Sequence, residues 1–166
     1  VDVKESHGFG TDVLKQFLQC VSDHPETTFE FQPYQLENVN TNIEVAADDG
    51  RPDLVLWIED GWFVCVEIKV SSSESENQTE RYAASDHLGG LDVTSIPEER
   101  RHYVYLADRR AANASAESFV NLSWETVVES IENLRSDRLA TYPGRSGAQL
   151  SEFIDHIKHE LRMTDE

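Results

Sequence analysis

The chain has 166 residues, with 32 Asp and Glu against 14 Lys and Arg and a formal net charge of −18. That length suits one domain, residues 1–166, with a sizeable core. No run approaches the roughly 20 apolar residues of a membrane span, and Cys20 and Cys65 are too few for a disulfide framework or a zinc site. Collagen, coiled coil, disulfide-stapled scaffold and membrane protein are excluded. The stretch Val1–Gly10 is charged and polar, without the pattern of a signal peptide, so a cytoplasmic protein with no membrane contact is expected. The acids are spread along the chain as a surface coat, which fits an organism with a salty cytoplasm. At about 1 M salt the screening length is only ~3 Å. On its face the charge argues against nucleic acid, which wants a basic surface.

Val13, Leu14, Phe17, Leu18 and Val21 have helical spacing over Thr11–Val21, with Thr11 or Asp12 able to cap the start. Residues 26–42 are mixed, with an extended piece at Phe29–Tyr34. Asn42–Ala46 reads as a short strand, and Asp48-Asp49-Gly50-Arg51-Pro52 as a turn. Asp53–Ile58 and Trp62–Val70 form two strands around Glu59-Asp60-Gly61. Both are apolar on both faces, so their sheet needs cover above and below. A polar loop, Ser71–Asn77, leads into a helix from about Ser75 to His87 that stops at Gly89-Gly90. Arg101–Ala107 is a strand, 108–123 a loop, and Trp124–Leu134 and Gly147–Arg162 are helices. The fold class is α/β, with a mixed central β-sheet of about four to five strands flanked by helices on both faces.

The strongest chemical feature is Pro52-Asp53 followed by Glu67-Ile68-Lys69. Glu67 and Lys69 lie two apart on a strand and share a face. An acid and a lysine inside such an apolar run are either a buried ion pair or a site, because burying each ion costs several kcal/mol before pairing. The hairpin loop decides whether Asp53 joins them. A two-residue loop pairs Glu59 with Trp62 and turns Asp53 to the wrong face. A three-residue loop pairs Ile58 with Trp62 and sets Asp53 opposite Glu67. The three-residue loop is predicted, with Gly61 in the left-handed position. Two adjacent carboxylates need a positive partner. Lys69 can serve alone, and a divalent cation such as Mg²⁺ serves better. Such an ion can activate water and neutralise charge on a phosphate.

These residues resemble the signature of the PD-(D/E)XK nuclease superfamily. The resemblance implies a restriction-endonuclease-like core and an Mg²⁺- or Mn²⁺-dependent deoxyribonuclease. Asp53, Glu67 and the backbone carbonyl of Ile68 would hold the metal, and Lys69 would assist the attacking water. Gln78 and Tyr82, at i and i+4 on the next helix, resemble the Gln-x-x-x-Tyr motif of the RecB-like branch. His7-Gly8-Phe9-Gly10 with Leu14 and Phe17-Leu18 resembles the opening of an uncharacterised prokaryotic group. Its members are often longer at the N-terminus, which would make this chain a shortened form. Many members carry a further Glu on the first core helix. That helix has none here, and Glu44 is the favoured auxiliary acid. Arg81, Arg100 and Arg101, with Arg109 and Arg110, are candidates for a positive rim along the phosphate path of bound DNA. By analogy with nucleases that cut both strands, a homodimer is a candidate assembly. A catalytically inactive module of the same fold, binding DNA or protein, is the alternative, and a plain structural ion pair is the third reading. His7, His102, His156 and His159 have no ligand cluster around them in the sequence and read as structural or surface residues.

Overall fold

The computed structural model describes residues 9, 11–44, 47, 50–70, 72–138 and 144–161, with backbone alone at 135–138. The expectations resting on His7 and Ala46 lie outside the described residues. Helix α1 (Asp12–Ser22) buries Leu14, Phe17, Leu18 and Val21 of the stripe its spacing predicts, adds Cys20 and leaves Val13 half-buried. Thr11 occupies its N-cap without a side-chain cap hydrogen bond. Five strands follow in one sheet: β1 (Asn40–Ile43), β2 (Leu54–Trp57), β3 (Phe63–Ile68), β6 (Arg101–Ala107) and β7 (Phe119–Ser123), in that spatial order. A separate small ribbon, β4 (His87–Leu88) with β5 (Leu91–Asp92), lies between β3 and β6 in the chain. β1, β2 and β3 are antiparallel, whereas β3–β6 and β6–β7 are parallel. The sheet is therefore mixed, as predicted.

Alternate residues divide the sheet between two cores. Val64 and Val66 of β3 pack with Leu54, Leu56, Val104, Leu106 and Leu122 into the larger core. It is covered by α1, by α3 (Trp124–Arg138) and by α4 (Gly144–Glu160). Phe63 and Cys65 face the other way, into a core with Val55, Tyr103, Tyr105 and Phe119. Its cover is thinner: Tyr82 from α2 (Gln78–Ala83), Leu88 from the ribbon and Val93 beyond it.

Several elements differ from expectation. β1 spans Asn40–Ile43 rather than Asn42–Ala46, and the backbone turns to φ 47° at Glu44. The piece at Phe29–Tyr34 forms no strand, and Pro33–Asn38 is a 3₁₀ helix, with Pro fitting its first turn. α2 is shorter than the helix expected there. Gly89-Gly90 does not stop it but forms the two-residue turn of the β4–β5 ribbon. Their φ values of 61° and 83° are those of the primed hairpin turns. Residues 119–123, expected as loop, form β7.

In the β2–β3 hairpin Leu54 pairs with Val66 and Trp57 with Phe63, and the Ile58 N–H donates to the Trp62 carbonyl. This is the three-residue loop. Its left-handed residue is Asp60 at φ 56°, not Gly61. Gly61 is there for space, since a Cβ would sit 3.1 Å from Ile58 Cβ.

Candidate active site

The register extends by one residue to set Asp53 opposite Glu67, at the carboxyl end of β3 on the thinly covered face. Asp53 is half-buried, and its Oδ2 accepts the Ile68 N–H at 2.7 Å. Pro52 explains why that bond is available. One residue further, Pro52 stands opposite Ile68 where β2 would continue. Having no N–H, it cannot donate to the Ile68 carbonyl, and the ladder ends there. Asp53 takes over the Ile68 N–H with a carboxylate oxygen, and no strand donor from β2 reaches the Ile68 carbonyl.

Glu67 is 1% exposed. Its Oε1 accepts from Lys69 Nζ at 2.6 Å. Its Oε2 is buried with no hydrogen-bond partner among the described residues. Burial pushes the Glu67 carboxyl above its ordinary range. The Lys69 hydrogen bond and charge pull it down, and the neighbouring Asp53 pushes it up further. Burial works against the Lys69 ammonium. The hydrogen bond and charge of Glu67 outweigh it, with Asp53 adding to them, and raise the lysine above its ordinary value.

The chain of contacts continues onto α2. Lys69 Nζ donates to Gln78 Oε1 at 3.0 Å, and Gln78 Nε2 donates to the Tyr82 hydroxyl oxygen at 2.7 Å. That oxygen also accepts the Arg51 N–H at 3.3 Å. The i,i+4 spacing of Gln78 and Tyr82 brings both side chains onto one helix face toward the strand ends. Burial raises the Tyr82 phenol above its ordinary value, and Gln78 opposes that shift. Asp53, Glu67, Lys69, Gln78 and Tyr82 are thus brought together.

Glu44 is exposed just past β1. Its N–H donates to the Asp53 carbonyl at 2.9 Å, so its backbone, rather than its carboxylate, is the part engaged beside the site. Among the described residues no group of three or more His, Cys, Asp or Glu converges. Arg81 lies on α2 and donates to the Glu76 carbonyl. Arg100 and Arg101 are not beside the carboxylates. β6 runs parallel to β3, so Arg101 pairs with Phe63 at the opposite strand end, four residues from the Glu67–Tyr105 pair. At ~3.3 Å per residue that is about 13 Å. Arg100 donates to the Asp60 carbonyl in the hairpin loop, and Arg101 to the carbonyls of Ile96 and Thr94. His102 is also at that end and packs on Phe29.

One acid at the site end, Glu74, carries no sequence signal, whereas Arg109 and Arg110 are among the rim candidates. Glu74 accepts from the N–H and hydroxyl of Thr79, at 2.6 and 2.7 Å, and from the N–H and hydroxyl of Ser115, both at 2.8 Å. Burial opposes its charge, but these four bonds prevail and hold the carboxyl below its ordinary value. The latch ties α2 to the connection between β6 and β7. Arg109 and Arg110, just after β6, follow the site end of the sheet. The parallel pairing of β6 with β3 would have placed them there had the strand direction been known.

A model of the PD-(D/E)XK nuclease superfamily matches residues 1–160. The chain belongs to the PD-(D/E)XK nuclease superfamily. No curated protein matches it. The superfamily's name fits what the sheet end displays: a Pro-Asp, a Glu and a Lys on adjoining strands. Among the described residues no helix is long and apolar enough to cross a membrane.

Proposed function

We propose that the chain is a Mg²⁺-dependent (or Mn²⁺-dependent) deoxyribonuclease that hydrolyses DNA phosphodiesters at Asp53, Glu67 and Lys69. The observation that carries this reading is Glu67 Oε2, a buried carboxylate oxygen that no donor among the described residues engages, beside the second carboxylate of Asp53. A buried acceptor left empty costs free energy unless a ligand fills it. A hard divalent cation suits the donor set of Asp53, Glu67 and the Ile68 carbonyl. Mg²⁺ is commonly held by one or two carboxylates, with waters and substrate phosphate completing the shell. Bound there, it would supply charge neutralisation at the phosphate and an acidified water.

The chain's own residues do the rest. Lys69 has three N–H groups, of which Glu67 and Gln78 engage two. The third is left for the attacking water or a phosphate oxygen, where a fixed positive charge stabilises the charge that develops. Gln78 and Tyr82 hold the ammonium at one place on the rim and support a RecB-like assignment. Asp53, by occupying the Ile68 N–H, fixes the strand end that presents the Ile68 carbonyl. Glu44 and Arg81 remain candidates for auxiliary and DNA contacts at this end of the sheet.

The test is cleavage of single-stranded, duplex and branched DNA with Mg²⁺ or Mn²⁺, at low and high KCl, beside Asp53→Ala. Metal-dependent cutting reduced about a thousandfold or more in the variant is expected. Equal cutting by both proteins would overturn the assignment. Absence of cutting on every substrate would favour the inactive module of the same fold.

A further inference from the structure

Beside Lys69, where the nuclease reading puts the scissile phosphate, the site opens into a cavity of about 450 Å³ bounded by Ser72, Ser73, Tyr105, Arg110, Ala112 and Asn113. That volume lies in the lower part of the range of small-ligand sites, about 300–1,000 Å³. Its most distinctive wall is Arg110. The Nε donates to Asp108 Oδ1 at 2.9 Å, and Nη2 donates to Asp108 Oδ2 at 2.5 Å and to the Leu161 carbonyl at 2.7 Å. These bonds lie in the guanidinium plane and fix it. The side chain is nonetheless 63% exposed. A guanidinium pinned at its edge by a carboxylate is a poor phosphate clamp, because its charge is already matched. It is a good flat plate, since its π-face suits a nucleobase.

Resting on the nuclease reading, we infer that this cavity holds the base of the nucleotide next to the scissile phosphate, stacked on Arg110, and that the substrate is DNA unpaired at that nucleotide. A base inside a duplex is stacked and paired on both sides. It enters a pocket only after leaving the stack, which is least costly in single-stranded or frayed DNA. Ser72, Ser73 and Asn113 supply uncharged hydroxyl and amide donors and acceptors for a base edge, and the two acids of the wall, Glu74 and Asp108, are engaged by Thr79 and Ser115 and by Arg110. The small side chain of Ala112 leaves the room that a base requires.

Titration of the whole chain with dAMP, followed by NMR, tests this directly, with deoxyribose 5-phosphate as the ligand lacking a base. The expected result is dAMP binding about tenfold tighter than deoxyribose 5-phosphate, an advantage lost in both Ala112→Trp and Arg110→Lys. Arg110→Lys keeps the charge and removes the plane. Equal affinity for the two ligands, full affinity in Arg110→Lys, or unchanged affinity in Ala112→Trp would each overturn the base pocket. Cleavage separates this proposal from the reading it rests on. Wild-type protein that hydrolyses bis(p-nitrophenyl) phosphate and single-stranded DNA, with Ala112→Trp retaining only the former, supports both. A base-dependent dAMP site in a protein that cleaves neither ester would keep the pocket and overturn the nuclease. Duplex DNA cut faster than single-stranded DNA would overturn the substrate class alone.

Discussion

The two faces of β3 are built from alternate residues of one strand and have opposite fates. Val64 and Val66 lie fully buried under α1, α3 and α4, packed among apolar side chains. Phe63 and Cys65 start the other face in the same manner, but the next two positions on it are Glu67 and Lys69. There the cover is a six-residue helix and a two-stranded ribbon. The first face is optimised for burial. The second accepts buried charge, an orphaned carboxylate oxygen and a short helix tied down by polar contacts. Natural proteins place such departures from good packing at functional sites and offset them elsewhere.

The sharpest way to break this contrast is Lys69→Met. It leaves Glu67 buried without its cation, and a loss of about 3–5 kcal/mol at neutral pH is expected. Because burial raises the Glu67 carboxyl, the folded state holds that proton more tightly than the unfolded chain. The deficit therefore shrinks as pH falls into the carboxylate range, as urea denaturation of the variant at several pH values would show. Adding Glu67→Gln to Lys69→Met should restore wild-type stability or exceed it. A double variant as unstable as the single one would show that the lone buried carboxylate is not what costs the single variant its stability.

On the dry face, Leu18 is fully buried in α1. Leu18→Ala should cost about 2–5 kcal/mol by the transfer and cavity terms. DNA cleavage per folded molecule should not change. A drop in kcat at temperatures where the variant is folded would show that the faces are coupled.

The smallest effect concerns the Asp108–Arg110 ion pair beside the site. Hydrogen bonds and charge from Arg110 hold the Asp108 carboxyl down at about 2. An unfolded aspartate titrates near 3.9. A depressed folded value means that the wild-type advantage over Asp108→Asn is fully present above about pH 4. It is then lost as pH falls toward about 2. Thermal unfolding of both proteins across that window reads it, and a difference independent of pH would contradict the pairing.

What could be read from residue order was local. A three-residue loop sufficed for the register that puts Asp53 opposite Glu67, because a shift of one residue would turn Asp53 away from the face of Glu67 and Lys69. Even there the left-handed residue was misplaced, since Asp tolerates that conformation and the glycine answers to Ile58 instead. The features that escaped depend on partners distant in sequence. Phe119–Ser123 is too short to declare itself and becomes a strand only by pairing with β6. Glu74 gains its role from Ser115, forty-one residues away. Two arginine pairs, Arg100-Arg101 and Arg109-Arg110, bracket the β6 strand in sequence, and residue order alone does not say which pair meets the acids. A parallel strand carries its beginning to the far end and its successors, Arg109 and Arg110, to the near one.

In the proposed function, the carboxylates of Asp53 and Glu67 form a cation site on the thin face. Calorimetric titration of the wild-type chain with Mn²⁺, beside Glu67→Gln, tests it without requiring a substrate. Saturable binding in the wild type that is lost in the variant is expected. No binding to the wild type, or equal binding to both, would contradict it.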